Sequence, residues 1–125
     1  MLYHVPDLDR ALAELARVLR PGGRLVAVTN SENSLHELWS QFGERARRVQ
    51  PFSTENGEPP LRRHFARVER RECAGTVTFP DWEAAHRYVA SSVTRAELAD
   101  ELPRFDGPLV ASRRSVVFVA ETARR

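Results

Sequence analysis

Leu8, Leu12, Leu15 and Leu19 recur at helical spacing, with Asp9, Arg10, Glu14 and Arg17 on the other side; such a stripe predicts an amphipathic helix. Asp7 stands at the N-cap position, and Glu14 can pair with Arg10 or Arg17 across one turn. Pro21 disfavours the helical conformation at the residue before it, so the helix should end at Leu19 or Arg20, with Gly22-Gly23 as the turn. Residues 25–29 are apolar without polar alternation, the pattern of a short strand covered on both faces of a parallel sheet. Helix, turn and buried strand in this order predict part of a doubly wound α/β sheet.

Ser34 and Glu37 have the spacing of a capping box, and Leu35, Leu38, Trp39, Phe42, Ala46 and Val49 follow helically, so a second helix should end before Pro51. Residues 52–60 are rich in Ser, Asn, Gly, Glu and Pro, which predicts a loop most mobile near Gly57, followed by a helical turn at 61–65. Residues 68–73 and 76–79 read as two strands joined near Gly75, the first charged enough to suit an edge. Asp81 should cap a helix carrying Trp82, Ala85, Tyr88 and Val89, and Thr94 and Glu97 form a second capping-box pattern. Asp106-Gly107-Pro108 breaks that short helix, and residues 115–120, rich in β-branched side chains, form the last strand.

The 125 residues, 42% of them apolar, suit one domain spanning residues 1–125. No apolar run approaches the roughly 20 residues of a membrane helix, and the N-terminus lacks the basic and apolar regions of a secretory leader. Cys73, the single cysteine, cannot close an internal disulfide. These features together predict a cytoplasmic protein without a membrane partner. The net charge of +2 hides a basic middle: residues 45–71 carry eight arginines against three acids. Only Phe52 and Phe65 interleave with those arginines, so a solvated face is expected there rather than a nucleic-acid surface of the stacking kind.

The opening stretch, with Leu2, His4, Asp7, Ala11, Leu12, Glu14, Arg17, Val18, Leu19, Arg20, Pro21, Gly22 and Gly23 in order, resembles the class I S-adenosylmethionine-dependent methyltransferases. In that family a strand ends in an L-x-H-x-x-D loop, a helix reads A-L-x-E-x-x-R-V-L-R, and a P-G-G turn leads to an apolar strand. The resemblance implies the C-terminal part of a doubly wound, Rossmann-like methyltransferase sheet with an antiparallel strand pair at its end. It also implies S-adenosylmethionine as cofactor and a small molecule as methyl acceptor. The family's glycine-rich turn after the first strand, and its ribose-holding acid, have no counterpart here. Gly22-Gly23 follows a helix and precedes a strand, the reverse of a nucleotide-binding turn. A partial domain inactive without its N-terminal half is therefore expected, with residues 25–29 lying between the missing fourth strand and residues 115–120. An open sheet edge left in that way predicts a homodimer or a complementary half as partner. A non-catalytic interaction or dimerisation module, a pseudoenzyme remnant, is the alternative.

The resemblance places Leu2, Tyr3 and His4 against the cofactor, with His4 as the catalytic candidate, a base or orienting donor. Thr29, Asn30 and Ser31, at the carboxyl end of the apolar strand, are candidate substrate contacts; strand termination and helix capping compete with that role. Glu32 with His36, and Glu83 with His86, have spacings that two metal ligands could share, but two isolated ligands fall short of a zinc site and are read as surface pairs. Trp39, Phe42, Trp82 and Tyr88 follow helical periodicity and are read as core.

Overall fold

The computed structural model describes residues 2, 5–47 and 50–123. In chain order the elements are α1 (Leu8–Val18), β1 (Arg24–Asn30), α2 (His36–Trp39), a 3-10 helix at Ser40–Ala46, α3 (Glu58–His64), β2 (Arg67–Phe79), α4 (Trp82–Ala90), a 3-10 helix at Ala96–Glu101 and β3 (Leu109–Glu121). The chain divides into two compact units. The first comprises Met1–Glu32, Gln50–Cys73 and Arg114–Arg125; the second comprises Asn33–Val49 and Ala74–Arg113.

In the first unit α1 begins and ends as the sequence predicts. Asp7 accepts a hydrogen bond from the Arg10 amide at 3.1 Å, Glu14 pairs with Arg17, and Leu19 is the C-cap. The Pro-Gly-Gly turn is tied to the end of β3: the Thr122 amide donates to the Gly23 carbonyl at 2.9 Å, and the Thr122 hydroxyl to the Arg20 carbonyl at 2.7 Å. The strands are ordered β1-β3-β2. β1 is antiparallel to β3, with Leu25 opposite Ala120, Ala27 opposite Phe118 and Thr29 opposite Val116. The pairing with residues 115–120 is the expected one, but the described residues do not cover both faces of β1. Ala27 and Thr29 are buried, whereas Val26 and Val28 are 61% and 62% exposed. The reason is that Leu12 of α1, and Leu61 and Phe65 at α3, pack with Ala27, Val116, Phe118 and Ala120 on one face.

Three further expectations are corrected. The loop after residue 52 is packed: Phe52 and Ser53 are buried, and α3 starts at Glu58, with prolines in its first turn where a missing amide costs nothing. At Gly57 a Cβ would stand 2.8 Å from both the Phe118 ring and the Ser53 carbonyl oxygen, so only glycine fits there. Gly57→Ala is expected to lower stability by about 1–3 kcal/mol through overpacking, read as a lower urea midpoint with an unchanged slope. Residues 68–79 form one strand, not two, because the equally long β3 lies alongside and ladder pairing overrides the turn tendency of Gly75.

In the second unit the helix predicted up to Val49 is broken into α2 and a 3-10 segment kinked at Gly43 (φ 61°). Glu37 does not complete a capping box. Leu35 takes a left-handed conformation (φ 58°), and the Glu37 carboxylate accepts from the Ser112 amide (2.9 Å) and hydroxyl (2.7 Å). These bonds lower the Glu37 pKa to about 2, the Ser112 hydroxyl contributing most. Because the folded pKa lies below the ordinary carboxylate value, this stabilisation is complete above about pH 4.5 and is lost as pH falls toward 2. Glu37→Gln should therefore flatten the acid limb of the stability curve between those values and leave its shape near neutrality unchanged, as acid titration by circular dichroism would show.

Asp81 caps α4 as predicted, accepting from the Ala84 amide at 2.8 Å. The segment after Thr94 is a 3-10 helix rather than an α-helix. Leu38, Phe79, Ala85, Val89, Leu98 and Leu102 form the unit's core, with Trp39, Phe42 and Trp82 packed against it.

Candidate functional site

The carboxyl end of β1 is where an open α/β sheet places ligands, and a polar cluster assembles there in the first unit. Thr29 is buried and donates its hydroxyl to the Phe52 carbonyl at 2.8 Å. The Asn30 carbonyl accepts from the Thr54 amide at 3.2 Å. Ser31 is also buried; its hydroxyl donates to Glu55 Oε2 at 2.5 Å, while the Glu32 amide donates to Glu55 Oε1 at 2.9 Å. Burial alone would raise the Glu55 pKa, but the bonds from Ser31 and the Glu32 amide outweigh it and hold the carboxyl below its ordinary value. Glu55 is thus a fixed carboxylate at the strand end.

Residues 50–56 owe their shape to Asn56, whose side chain accepts from the Ser53 amide at 2.7 Å and donates to the Gln50 carbonyl at 2.6 Å. Arg70 of β2 donates to the Thr54 carbonyl at 3.3 Å and pairs with Glu72 at 2.6 Å. Thr54 Oγ1 is buried with no hydrogen-bond partner among the described residues, so Thr54 joins the polar cluster through its backbone.

Of the residues singled out in the sequence, Thr29, Asn30 and Ser31 do converge at this strand end. Thr29 and Ser31 hold residues 52–55 in place, and Asn30 is exposed. Leu2 packs against the core around Leu12 and Phe118. Tyr3 and His4 lie outside the described residues. Glu55 escaped sequence reading because it is 24 residues from Ser31 and no local spacing links them; its only signal is a polar stretch following an apolar strand. His86 lies 3.2 Å from Asp100, and Glu83 pairs with Arg104. In the basic middle, Arg62, Arg63, Arg70 and Arg71 lie in ion pairs with Glu58, Asp9, Glu72 and Glu69. No helix among the described residues is long and apolar enough to cross a membrane.

The described residues do not fit the nucleotide end of an S-adenosylmethionine site. A nucleotide cradle needs glycines that let backbone amides approach a ligand between a strand and the helix it feeds. The connections from β1 to α2 and from β2 to α4 contain no glycine. At Gly23 the close neighbour is the backbone of the turn itself: a Cβ there would lie 2.7 Å from the Arg20 carbonyl oxygen. That glycine serves turn packing.

A family model for the methyltransferase domain matches residues 1–27. The malonyl-[acyl-carrier protein] O-methyltransferase of Herminiimonas arsenicoxydans is 57% identical over 47 residues, 36% of this chain and 18% of that protein. A malonyl-[acyl-carrier protein] O-methyltransferase of Coxiella burnetii is 46% identical over 46 residues, 37% of this chain and 16% of that protein. Among solved structures, a Bacillus halodurans protein described as a methyltransferase aligns with 98% of this chain and 66% of its own (TM-score 0.58, 20% identity). The YcgJ protein of Bacillus subtilis aligns with 99% of this chain and 61% of its own (TM-score 0.57, 12% identity). The matches thus span less than a fifth of the curated relatives and about two thirds of the solved structures.

Proposed function

We propose that this chain, similar over its first residues to methyltransferase domains and in fold to methyltransferase-like structures, supplies the substrate-side part of a class I S-adenosylmethionine-dependent methyltransferase and turns over only when joined by a nucleotide-binding part. The observation that carries this reading is the unit formed by α1, the Pro-Gly-Gly turn and β1, in which the family match (residues 1–27) coincides with the fold likeness. By analogy with the curated relatives, the methyl acceptor is a carboxylate on a carrier-bound malonyl group; the cytoplasmic location expected from the sequence is kept as part of this reading. Glu55, Ser31 and Asn30 border the acceptor in this reading, and His4 orients the attacking oxygen. Methyl transfer to a carboxylate depends chiefly on alignment of the reacting atoms, so a rigid strand end held by Glu55 suits the role.

The test is co-expression of this chain with the segment of the Herminiimonas arsenicoxydans relative that precedes its matched stretch, followed by an assay of methyl transfer from labelled S-adenosylmethionine to malonyl-carrier protein. Methyl ester formed only when both parts are present is the expected result. A complex that binds S-adenosylhomocysteine yet methylates neither malonyl-carrier protein nor free malonate thioesters would overturn the acceptor assignment. The open edge of β1 favours a second reading, a non-catalytic interaction module, which predicts a stable complex with no cofactor affinity.

A further inference from the structure

Arg70 of β2 stands beside the strand-end cluster with its hydrogen bonds concentrated on one atom. Its Nη2 donates to the Thr54 carbonyl at 3.3 Å and to Glu72 Oε1 at 2.6 Å, and among the described residues the guanidinium makes no other hydrogen bond. Its central carbon lies 5.8 Å from the ring centre of the fully buried Phe118. Arg70 is thus anchored on Phe118 and Thr54, while Nε and Nη1 carry donors that the described residues leave unused. Thr54 links the guanidinium to the strand end: its amide donates to the Asn30 carbonyl at 3.2 Å, and its buried hydroxyl has no partner among the described residues. An unsatisfied buried hydroxyl is uncommon in native proteins, and this one lies on the residue that ties Arg70 to Asn30.

The pair with Glu72 is one that a ligand can exchange. A guanidinium offers a carboxylate two parallel bonds along either of two edges, Nε with Nη2 or Nη1 with Nη2. Glu72 makes one bond only, to Nη2. Both edges include Nη2, so a carboxylate in the place of Glu72 gains a second bond from Nε or Nη1. Glu72 lies two residues from Arg70 on the same strand, and its side chain is 66% exposed against 36% for Arg70. An exposed pair of this kind contributes little free energy, and a displaced Glu72 passes into solvent. Glu55, the other carboxylate of the cluster, is committed to the Ser31 hydroxyl and the Glu32 amide.

Resting on the substrate-side reading above, we infer that Arg70 is a specificity-determining residue of the strand-end site, whose guanidinium exchanges Glu72 for the carboxylate of the methyl acceptor. The exchange replaces one carboxylate by another, so the guanidinium stays paired throughout. It also separates acceptor from product. A methyl ester carries no charge, and only one of its two oxygens is a good acceptor, so it gains neither the charge nor the second bond that displacing Glu72 requires. Glu72 then regains Nη2 and the ester is released.

The test uses the full chain by itself, so its readout does not depend on methyl transfer. The probe is the malonyl thioester of N-acetylcysteamine, titrated while the arginine Nε–H signals are followed by nuclear magnetic resonance, that of Arg70 being identified by its loss in Arg70→Lys. A saturable shift of the Arg70 signal is expected, and the methyl ester of the same thioester should bind about tenfold more weakly. Arg70→Lys keeps the charge without the fork and should weaken binding about tenfold. Glu72→Gln removes the competing carboxylate and should strengthen binding about threefold. These opposite signs separate a change in binding from a loss of folding. No shift at Arg70, equal affinity for acid and ester, or a Glu72→Gln chain that binds no more tightly would overturn the inference. So would S-adenosylhomocysteine, a carboxylate from the cofactor side, shifting Arg70 where the thioester does not. Turnover by the joined enzyme is read separately. Arg70-dependent binding of the acid without methyl transfer would refute the enzymatic reading and leave the carboxylate site standing. Methyl transfer with the acceptor KM unchanged in Arg70→Lys would refute the site and leave the enzymatic reading standing.

Discussion

Truncating Phe118 to alanine is expected to destabilise the protein by about 3–5 kcal/mol, the range for removing a buried aromatic ring from a core that closes only partly around the cavity. Phe118 is fully buried on β3, meets Phe52 edge-on with ring centroids 5.6 Å apart, and lies beneath the Arg70 guanidinium at 5.8 Å. It also sets the tight approach at Gly57. Loss of the ring therefore removes the surface on which residues 52–57 rest, and with it the support of the Glu55 carboxylate at the strand end. Chemical denaturation should show the lower midpoint, and hydrogen exchange should show the Thr54 amide losing protection in step.

Leu38→Ala should have an effect of similar size in the second unit, about 2–5 kcal/mol. Leu38 is fully buried in α2, a helix of four residues whose own hydrogen bonds are too few to sustain it. The broken segment from His36 to Ala46 is thus held by tertiary anchoring: Leu38 in the core, the Glu37 carboxylate on Ser112, and the Arg95 guanidinium, which donates to the Ala46 carbonyl at 2.7 Å and lies 4.4 Å from the Trp39 ring. Removing Leu38 should unfold α2 before α4, seen as loss of amide protection at residues 38–40 while residues 85–89 stay protected. Equal loss in both helices would instead show that α2 and α4 unfold as one cooperative unit.

Much of the first unit was legible because its signals are local. The leucine spacing, Asp7 and Pro21 define α1 within a few residues, and the apolar run 25–29 marks β1. The family resemblance correctly foresaw that β1 would pair with the last strand. Cover on both faces of β1 was misjudged for an instructive reason: an apolar run records what a strand is suited to bury, and Val26 and Val28 are suited to a cover that the described residues do not provide. The capping box at Ser34 misled because Glu37 finds better donors 75 residues away on Ser112, and Gly43 then admits a kink that no helix interior would hold. Glu55 was invisible for the same kind of reason, since its partners come from the far end of β1. What local spacing cannot record, in each case, is a bond made by tertiary contact.

The central question is whether this chain holds the cofactor's nucleotide without a strand–glycine turn–helix unit. Calorimetric titration of the purified, folded chain with S-adenosylhomocysteine tests that directly. A chain that supplies only the substrate-side part should give no saturable heat by itself, with one-to-one binding appearing once the complementary segment is present. Saturable one-to-one binding to the chain alone would contradict the substrate-side assignment, since a nucleotide site would then exist without the glycine turn that the fold would otherwise require.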